Sequence, residues 1–482
     1  MDNIMEHKLR GLGICTHFSR RERGWKAEHL IPLAKEMGVS LIRDEIEWHN
    51  VEKEKGKYQI SPENCDWLKR ASDAGLGINF ILLYGNSIYE NPLDPEAFAK
   101  FAKFMANELV GKYNIVNFEI WNEPTNFQFL KHYGGSWSGR EPCPWLAKFA
   151  ELVETTAAVL KKEVPQIPLM VAPGDPQFFY MAERFPRSLK DIDAYASHPY
   201  PSRFPPETVP WGGTQIHERD GVSVADDDHS YLSLWSRARE ICRKHLGREL
   251  SMHATEWGYS TYDHHRKGHN MAGYSEQAQA LYIARGVILS FAAGLESIYL
   301  YDFMDDGLNR YELEDNFGMV RNEARNYERK PSWSILRRLS EILSPDWRPV
   351  AEAPARLNTE INPLPYNNDL WQHPVKEPYL CIESPQIYWF KVGKDVVSFV
   401  WKSGRISGEY REPSGSIEWI DAPEFRRIEI IDLNTGLPIS ATPTIHDGKL
   451  ILPEIPVGGS PVAIRWTPSD PGSFFKKINC AT

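Results

Sequence analysis

The chain has 482 residues, 42% of them hydrophobic and 25% charged, an ordinary globular balance and enough for a barrel-sized domain of about 250–350 residues plus a smaller module. Its net charge of −10 argues against nucleic acid or an anionic membrane as partner, and no run approaches the roughly 18 apolar residues of a membrane span. Six cysteines (Cys15, Cys65, Cys143, Cys242, Cys381, Cys480) form no CxxC pair, which excludes a zinc-ribbon pattern and a dense disulfide framework. That usage and a polar Met1–Arg10 without the apolar stretch of a signal peptide make a cytoplasmic location the expectation.

From residue 11 to about 345, short apolar runs alternate with helical patterns. Strands are expected at Gly11–Phe18, Val39–Arg43, Gly77–Tyr84, Ile115–Trp121, Leu169–Gly174, Ile192–Ser197, Leu250–Glu256 and Ser297–Phe303. Helices are expected at Lys26–Met37, Asn64–Ala74, Pro95–Val110, Pro144–Lys162, Gln177–Ser188, Ser230–His245, Ser275–Ala293 and Ser332–Leu343. Such alternation means parallel strands with helical crossovers. The count of eight, and the lack of a GxGxxG after the first strand, favour an α/β fold of the closed (β/α)8 TIM-barrel kind, residues 8–345, over an open dinucleotide-binding sheet. Seven prolines between Pro345 and Pro378 predict a linker or extended wrap, 346–378. Beyond it, Gln386–Val392, Asp395–Trp401, Ser416–Ile420, Arg427–Leu433, Lys449–Leu452 and Val462–Trp466 read as strands of a small β-sandwich, 379–482, with turns at Asn434-Thr435-Gly436 and Asp447-Gly448.

Two strand ends carry lone carboxylates. Ile120-Trp121-Asn122-Glu123-Pro124 closes the fourth strand, and Pro124 forces the chain off the sheet so that Glu123 sits on the rim. Thr255-Glu256-Trp257-Gly258 closes the seventh. An unpaired buried carboxylate costs several kcal/mol, so each needs water, a partner or a ligand. Strand ends four and seven look across one barrel mouth, where two carboxyl groups can flank a glycosidic bond. A separation of about 5–5.5 Å permits direct attack and retention, and about 6.5–9.5 Å admits a water and gives inversion. The 16 Trp and 21 Tyr are mostly core filling, but flat rings also suit the C–H faces of sugars.

On these residues the chain resembles clan A glycoside hydrolases, retaining (β/α)8 enzymes, and within them family 39, over roughly residues 10–345. The resemblance implies that Glu123 is the general acid/base and Glu256 the nucleophile. It implies that Arg43, ending strand two, orients the nucleophile, where the residues alone allow a salt bridge to Asp44 or Glu45. Asn122 is similar to the asparagine that contacts the sugar 2-hydroxyl. In Ser197-His198-Pro199-Tyr200, His198 would contact substrate and Tyr200 would hydrogen-bond the nucleophile; His17 matches a sugar-binding position. An acid held protonated near neutral pH calls for a raised pKa at Glu123, supplied by Glu256 and burial.

Trp48, Tyr84, Trp137, Trp257 and Tyr262 are candidate stacking platforms, each weighed against core packing. Where many clan members place a tryptophan on strand eight, this chain reads Tyr299-Leu300-Tyr301-Asp302-Phe303-Met304-Asp305-Asp306. Tyr301 or Phe303 then takes the platform role, with Asp302, Asp305 and Asp306 as acceptors near the mouth. That departure leaves the sugar open among β-xylosidase, β-glucosidase, β-galactosidase and endo-glycosidase types. The Asp263–His269 stretch lacks metal-ligand spacing and reads as a loop over the site, as does 201–229; Asp226–Asp228 reads as a solvated helix start. No cofactor and no metal are expected. The expected partner is a carbohydrate, with a homo-oligomer left open. The alternatives are a non-catalytic sugar-binding barrel, and a barrel aldolase or metal-dependent hydrolase, which would need a lysine or a histidine set at the strand ends.

Overall fold

The computed structural model describes residues 8–210, 212–263, 271–344, 346–359, 384–404, 406, 414–421 and 423–480. Eight parallel strands close a barrel: β1 Leu12–Cys15, β2 Leu41–Glu45, β3 Gly77–Leu82, β4 Ile115–Ile120, β5 Leu169–Val171, β6 Ala194–Ser197, β7 Ser251–Trp257 and β8 Ser297–Leu300. Each pairs with its neighbour in sequence, and β8 pairs with β1. Every expected barrel strand is present, with ends shifted by a few residues: most are shorter at the C-terminal side, whereas β2 and β7 run on to Glu45 and Trp257 and β6 begins later, at Ala194.

These strands are short apolar runs buried along nearly their whole length, as in β3 and β8, because helices cover the sheet's outer face. The helices are α1 Ala27–Met37, α2 Pro62–Asp73, α3 Pro95–Leu109, α4 Pro144–Glu163, α5 Asp175–Arg184, α6 Tyr231–Ile241, α7 Glu276–Ala292 and α8 Pro331–Leu343. Proline opens α2, α3, α4 and α8 at a position whose N–H has no helical partner anyway. Ser61, Asp94 and Ser275 accept the first free N–H groups of α2, α3 and α7. Inside the barrel Gly13 leaves room for a ring: a Cβ there would stand 2.4 Å from the Tyr299 side chain of the adjacent strand.

The Pro-rich segment departs from expectation. Rather than a plain linker, it begins with two strands, β9 Trp347–Glu352 and β10 Ala355–Thr359; its remainder, 360–378, lies outside the described residues. Pro349 is accommodated because β9 has β11 on one side there, its other neighbour pairing only at Val350 and Glu352. The expected later strands follow as β11 Pro385–Val392, β12 Asp395–Lys402, β13 Ser414–Trp419, β14 Phe425–Asp432, β16 Lys449–Pro456 and β17 Val462–Pro468, joined by β15 Thr444–His446 and β18 Asn479–Cys480. They form a six-stranded sheet, β14-β17-β12-β11-β9-β18, over a four-stranded one, β10-β13-β16-β15.

The six-stranded sheet is buried on both faces. Trp389, Val396, Val400, Ile464 and Trp466 face the four-stranded sheet, while Phe390, Val397, Phe399 and Trp401 join the barrel's core. Helix α7 lies between barrel and sheet and is buried at nearly every position, which is why its sequence shows no polar stripe. An ion pair seals the contact. Arg285 of α7 meets Glu207 at 2.5 Å, Trp401 Nε1 donates to the same carboxylate at 2.8 Å, and Arg285 also donates to the Gly404 carbonyl. No helix among the described residues is long and apolar enough to cross a membrane.

Candidate active site

At the C-terminal end of the barrel lies a cavity of about 710 Å³, lined by Arg43, Tyr84, Asn122, Glu123, His198, Tyr200, Glu256 and Tyr301 among others. Its floor is a buried ion network. Inward-facing Glu119 of β4 accepts both Nε and Nη2 of Arg43 at 2.9 Å, Asn79 Nδ2 at 2.9 Å and Thr255 Oγ1 at 3.2 Å. Arg43 in turn donates Nη1 to Glu256 Oε1 at 2.7 Å and Nη2 to Asn122 Oδ1 at 2.9 Å. Burial alone would push Glu119 up, yet the guanidinium holds it below the usual carboxylate range. Desolvation likewise opposes charge on Arg43, and Glu119 and Glu256 outweigh it. One fixed cation thus faces two carboxylates and supports both.

Glu256 takes its second donor from Tyr200, whose hydroxyl stands 2.9 Å from Oε2. Burial, then the Glu256 charge, pushes that phenol well above its usual pKa, so it stays a donor. Glu123 sits just past β4, where Trp121 and Glu123 both adopt left-handed backbone, φ 67° and 43°. Such non-glycine conformations cost about 1–3 kcal/mol and collect at functional sites; the buried Trp121 ring, wedged between Phe98 and Phe129, holds this one. Glu123 Oε1 lies 2.8 Å from His198 Nδ1, and Oε2 accepts Asn126 Nδ2 at 2.8 Å. Donor atoms of Glu123, His198 and Glu256 all lie within 4.8 Å of one another.

The expected raised pKa at Glu123 is not what this geometry produces. Burial pushes Glu123 up, but the His198 contact, Asn126 and Arg43 outweigh it and leave the carboxyl below its usual range. His198 moves the other way: burial opposes its charge, and Glu256 and Glu123 more than restore it. The Thr255 hydroxyl, donating its one hydrogen to Glu119, accepts from His198 Nε2 at 3.1 Å. One further proton therefore lies between Nδ1 and Glu123.

The same three residues have metal-ligand geometry, but each carboxylate oxygen already accepts one donor, from Arg43, Tyr200, Asn126 or the imidazole. A cation there would stand beside the Arg43 guanidinium and displace the shared proton. The residues fit an organic substrate better than an ion.

His17 also lines the cavity, its Nδ1 3.1 Å from Glu45 Oε1 and its Nε2 3.5 Å from Asp302 Oδ2. Burial works against its charge, yet Glu45 and Asp302 raise it to about 9. Tyr84 and Trp137 reach the cavity, and Tyr301 forms a wall with its hydroxyl on Glu314 at 2.9 Å.

Four expected platforms do not reach it. Trp48 is fully buried against Tyr89, Phe98 and Phe101, its Nε1 spent on Glu52. Trp257 points outward from β7 onto Gly286 of α7. Phe303 is core, and Tyr262 is buried with its hydroxyl on the Met271 carbonyl. Asp302 is buried behind His17 rather than open to a ligand. Asp305 is engaged by Lys330 at 2.6 Å and Asp306 by Trp25 Nε1 at 2.7 Å. Arg43 forms neither of the local salt bridges that its neighbours allowed; its partners come from β4 and β7. Of the histidine-rich stretch, 264–269 lies outside the described residues, as does Trp211. Asp228 accepts from Ser230 N at 2.9 Å where α6 begins.

Glu119, Asn79, Thr255, Arg20, Phe127 and Glu314 also build the site, and no motif in the sequence marks them; Glu45, which the sequence offers only as a partner for Arg43, lines the cavity beside His17. Glu119 left a trace, a carboxylate inside the apolar run Ile115–Ile120 that something had to pair. Phe127 and Glu314 sit in loops whose path no local pattern encodes.

No family model matches the chain, and no curated protein matches it. Solved structures do. A family 39 glycoside hydrolase from Bacteroides cellulosilyticus WH2 is 18% identical, covering 95% of this chain and 81% of that one, with a TM-score of 0.67. A family 5 glycoside hydrolase from Bacteroides vulgatus ATCC 8482 is 12% identical over 96% and 89%, TM-score 0.56. A GH30 endoxylanase from Clostridium papyrosolvens C71 is 10% identical over 96% and 97%, TM-score 0.54. The likeness spans almost the whole chain, so the barrel and its appended sheets together are an architecture this protein shares with these glycoside hydrolases.

Proposed function

We propose that the protein is a retaining glycoside hydrolase acting on β-linked oligo- or polysaccharides by double displacement. The observation that carries this reading is that one carboxylate oxygen of Glu123 and one of Glu256 lie within 4.8 Å of each other, with His198 beside both, in keeping with the about 5–5.5 Å carboxyl separation of direct attack. Glu256, oriented by Arg43 and Tyr200, attacks the anomeric carbon. Glu123 delivers a proton to the departing oxygen. It draws that proton from the one it shares with His198: as attack consumes the Glu256 charge, the imidazole loses the largest charge holding its proton. In the second step Glu123 takes a proton from water, whose oxygen bonds to the anomeric carbon as the ester to Glu256 breaks, and the proton returns to the position shared with His198. Asn122, held by Arg43 and donating to Tyr84 at 3.0 Å, is placed to meet a sugar hydroxyl beside the reacting carbon.

A non-catalytic sugar-binding barrel would not need a proton shared between an acid and an imidazole next to an oriented carboxylate. An aldolase is disfavoured by the absence of lysine from the described cavity lining. A panel of aryl glycosides and oligosaccharides, with product anomers followed by NMR, tests the reading. Turnover with net retention is expected. Inversion, or no turnover on any glycoside, overturns it. Dialysis against EDTA leaves activity intact; loss restored by added metal would favour a metal-dependent hydrolase.

A further inference from the structure

The cavity has two unlike ends. Across the mouth, β1 and β8 contribute His17, Arg20 and Tyr301, and Glu45 of β2 joins them: a charged end with donors and acceptors for hydroxyls. The loop after β4 contributes Phe127 and Trp137. Both are large apolar side chains left 40% and 43% exposed, where every other described tryptophan is buried. Phe127 is rigidly tied to Glu123. Its backbone N–H donates to the Glu123 carbonyl at 2.9 Å, and its ring stacks on Tyr84 at 5.0 Å and 29°. Trp137 is anchored through its own carbonyl, which accepts Gln177 Nε2 at 2.7 Å.

Chemistry assigns the ends. In a double displacement the acid touches the departing oxygen, so the departing group lies on the side of Glu123, and the sugar that forms the ester lies over Glu256. Phe127 belongs to the same turn as Glu123 and thus to the departing side. Solvent-exposed rings beside that oxygen gain by covering a flat apolar face and offer nothing to a small polar leaving group.

We infer that Phe127 and Trp137 are a leaving-group platform, selecting substrates whose departing portion presents a flat apolar face, either the C–H face of a second sugar or a phenolic ring. This rests on the glycosidase reading above. The test holds the transferred sugar constant and varies what departs: fluoride, a phenol, or a second sugar. kcat/KM is measured for the wild type, Phe127→Ala, Trp137→Ala and Phe127→Leu, the last keeping apolar bulk without a flat ring. The readout is each substrate's kcat/KM divided by that for the fluoride, a ratio independent of how much of a variant folds. The ratio is expected to fall about 3- to 10-fold in the variants. A fall confined to the sugar or to the phenol supports the platform and says which face it serves. Ratios unchanged in all variants, with an active wild type, overturn the platform alone. The transferred sugar is the one turned over in the glycoside panel above; a wild type inert on every glycoside of that panel overturns the glycosidase reading and the platform with it.

Discussion

At Glu256 one donor meets each oxygen, Arg43 on Oε1 and Tyr200 on Oε2, which fixes the carboxylate plane and leaves lone pairs for the cavity. Glu256→Ala removes the attacking group while the Arg43–Glu119 pair keeps the floor assembled. Turnover should vanish with the fold intact, and azide should restore it by forming the inverted glycosyl azide, visible by NMR; full activity without azide would refute the nucleophile role. His17 supplies a test by pH. Its folded pKa, about 9 against 6.5, stabilises the fold fully below pH 6.5, and that contribution is lost as pH rises through 9. Asp44, pushed up to about 7 mainly by burial, completes its own titration below pH 8. The wild type should therefore lose stability between pH 8 and 9.5 in urea titrations, and His17→Asn should lose less; identical slopes would remove His17 as the cause. Both glutamates were legible because a charged residue ending an apolar run has no bland explanation on two strands at once. The Glu123 proton was not legible. The pair repulsion that would raise its pKa is overturned by an imidazole 75 positions away, and only coordinates show which neighbour is nearer.

Among elements, the barrel strands and helices were readable because each is a short apolar run or an amphipathic stretch bounded by proline, serine or aspartate. Strand β9 is masked by Pro349 within it and β10 by Pro354 just before it. A proline is compatible with a strand only where one side is unpaired, and that is a fact about the sheet rather than about the segment. Trp48 and Trp257 were misread for a related reason: an aromatic residue near a strand end can face either the mouth or the helical layer, and spacing does not decide which. Packing does decide at Gly13. A methyl group there would enter the Tyr299 ring, itself fully buried, so Gly13→Ala should cost about 1–3 kcal/mol, read from the urea midpoint. A neutral substitution would mean the ring has room to move.

For the molecule as a whole, the decisive contact is the one between barrel and sheet. Glu207 leaves the loop after β6, the strand that leads into Tyr200, and reaches Arg285 and Trp401 at once. Removing one member of a buried pair strands the other charge, so Glu207→Ala should cost about 3–5 kcal/mol in denaturant unfolding. The paired change Glu207→Leu with Arg285→Met should recover much of that; if the single change is harmless, the interface is held by apolar packing alone. Helix α7 sets a sterner rule on how the chain can drift. Gly286 is where the Trp257 indole rests, with room for no Cβ. One residue inserted upstream of it would turn the rest of the helix by about 100° and bring a neighbouring side chain onto the indole. Length variation over generations is then expected in the loops rather than in this helix, and the loops at the mouth are the ones that shape the cavity.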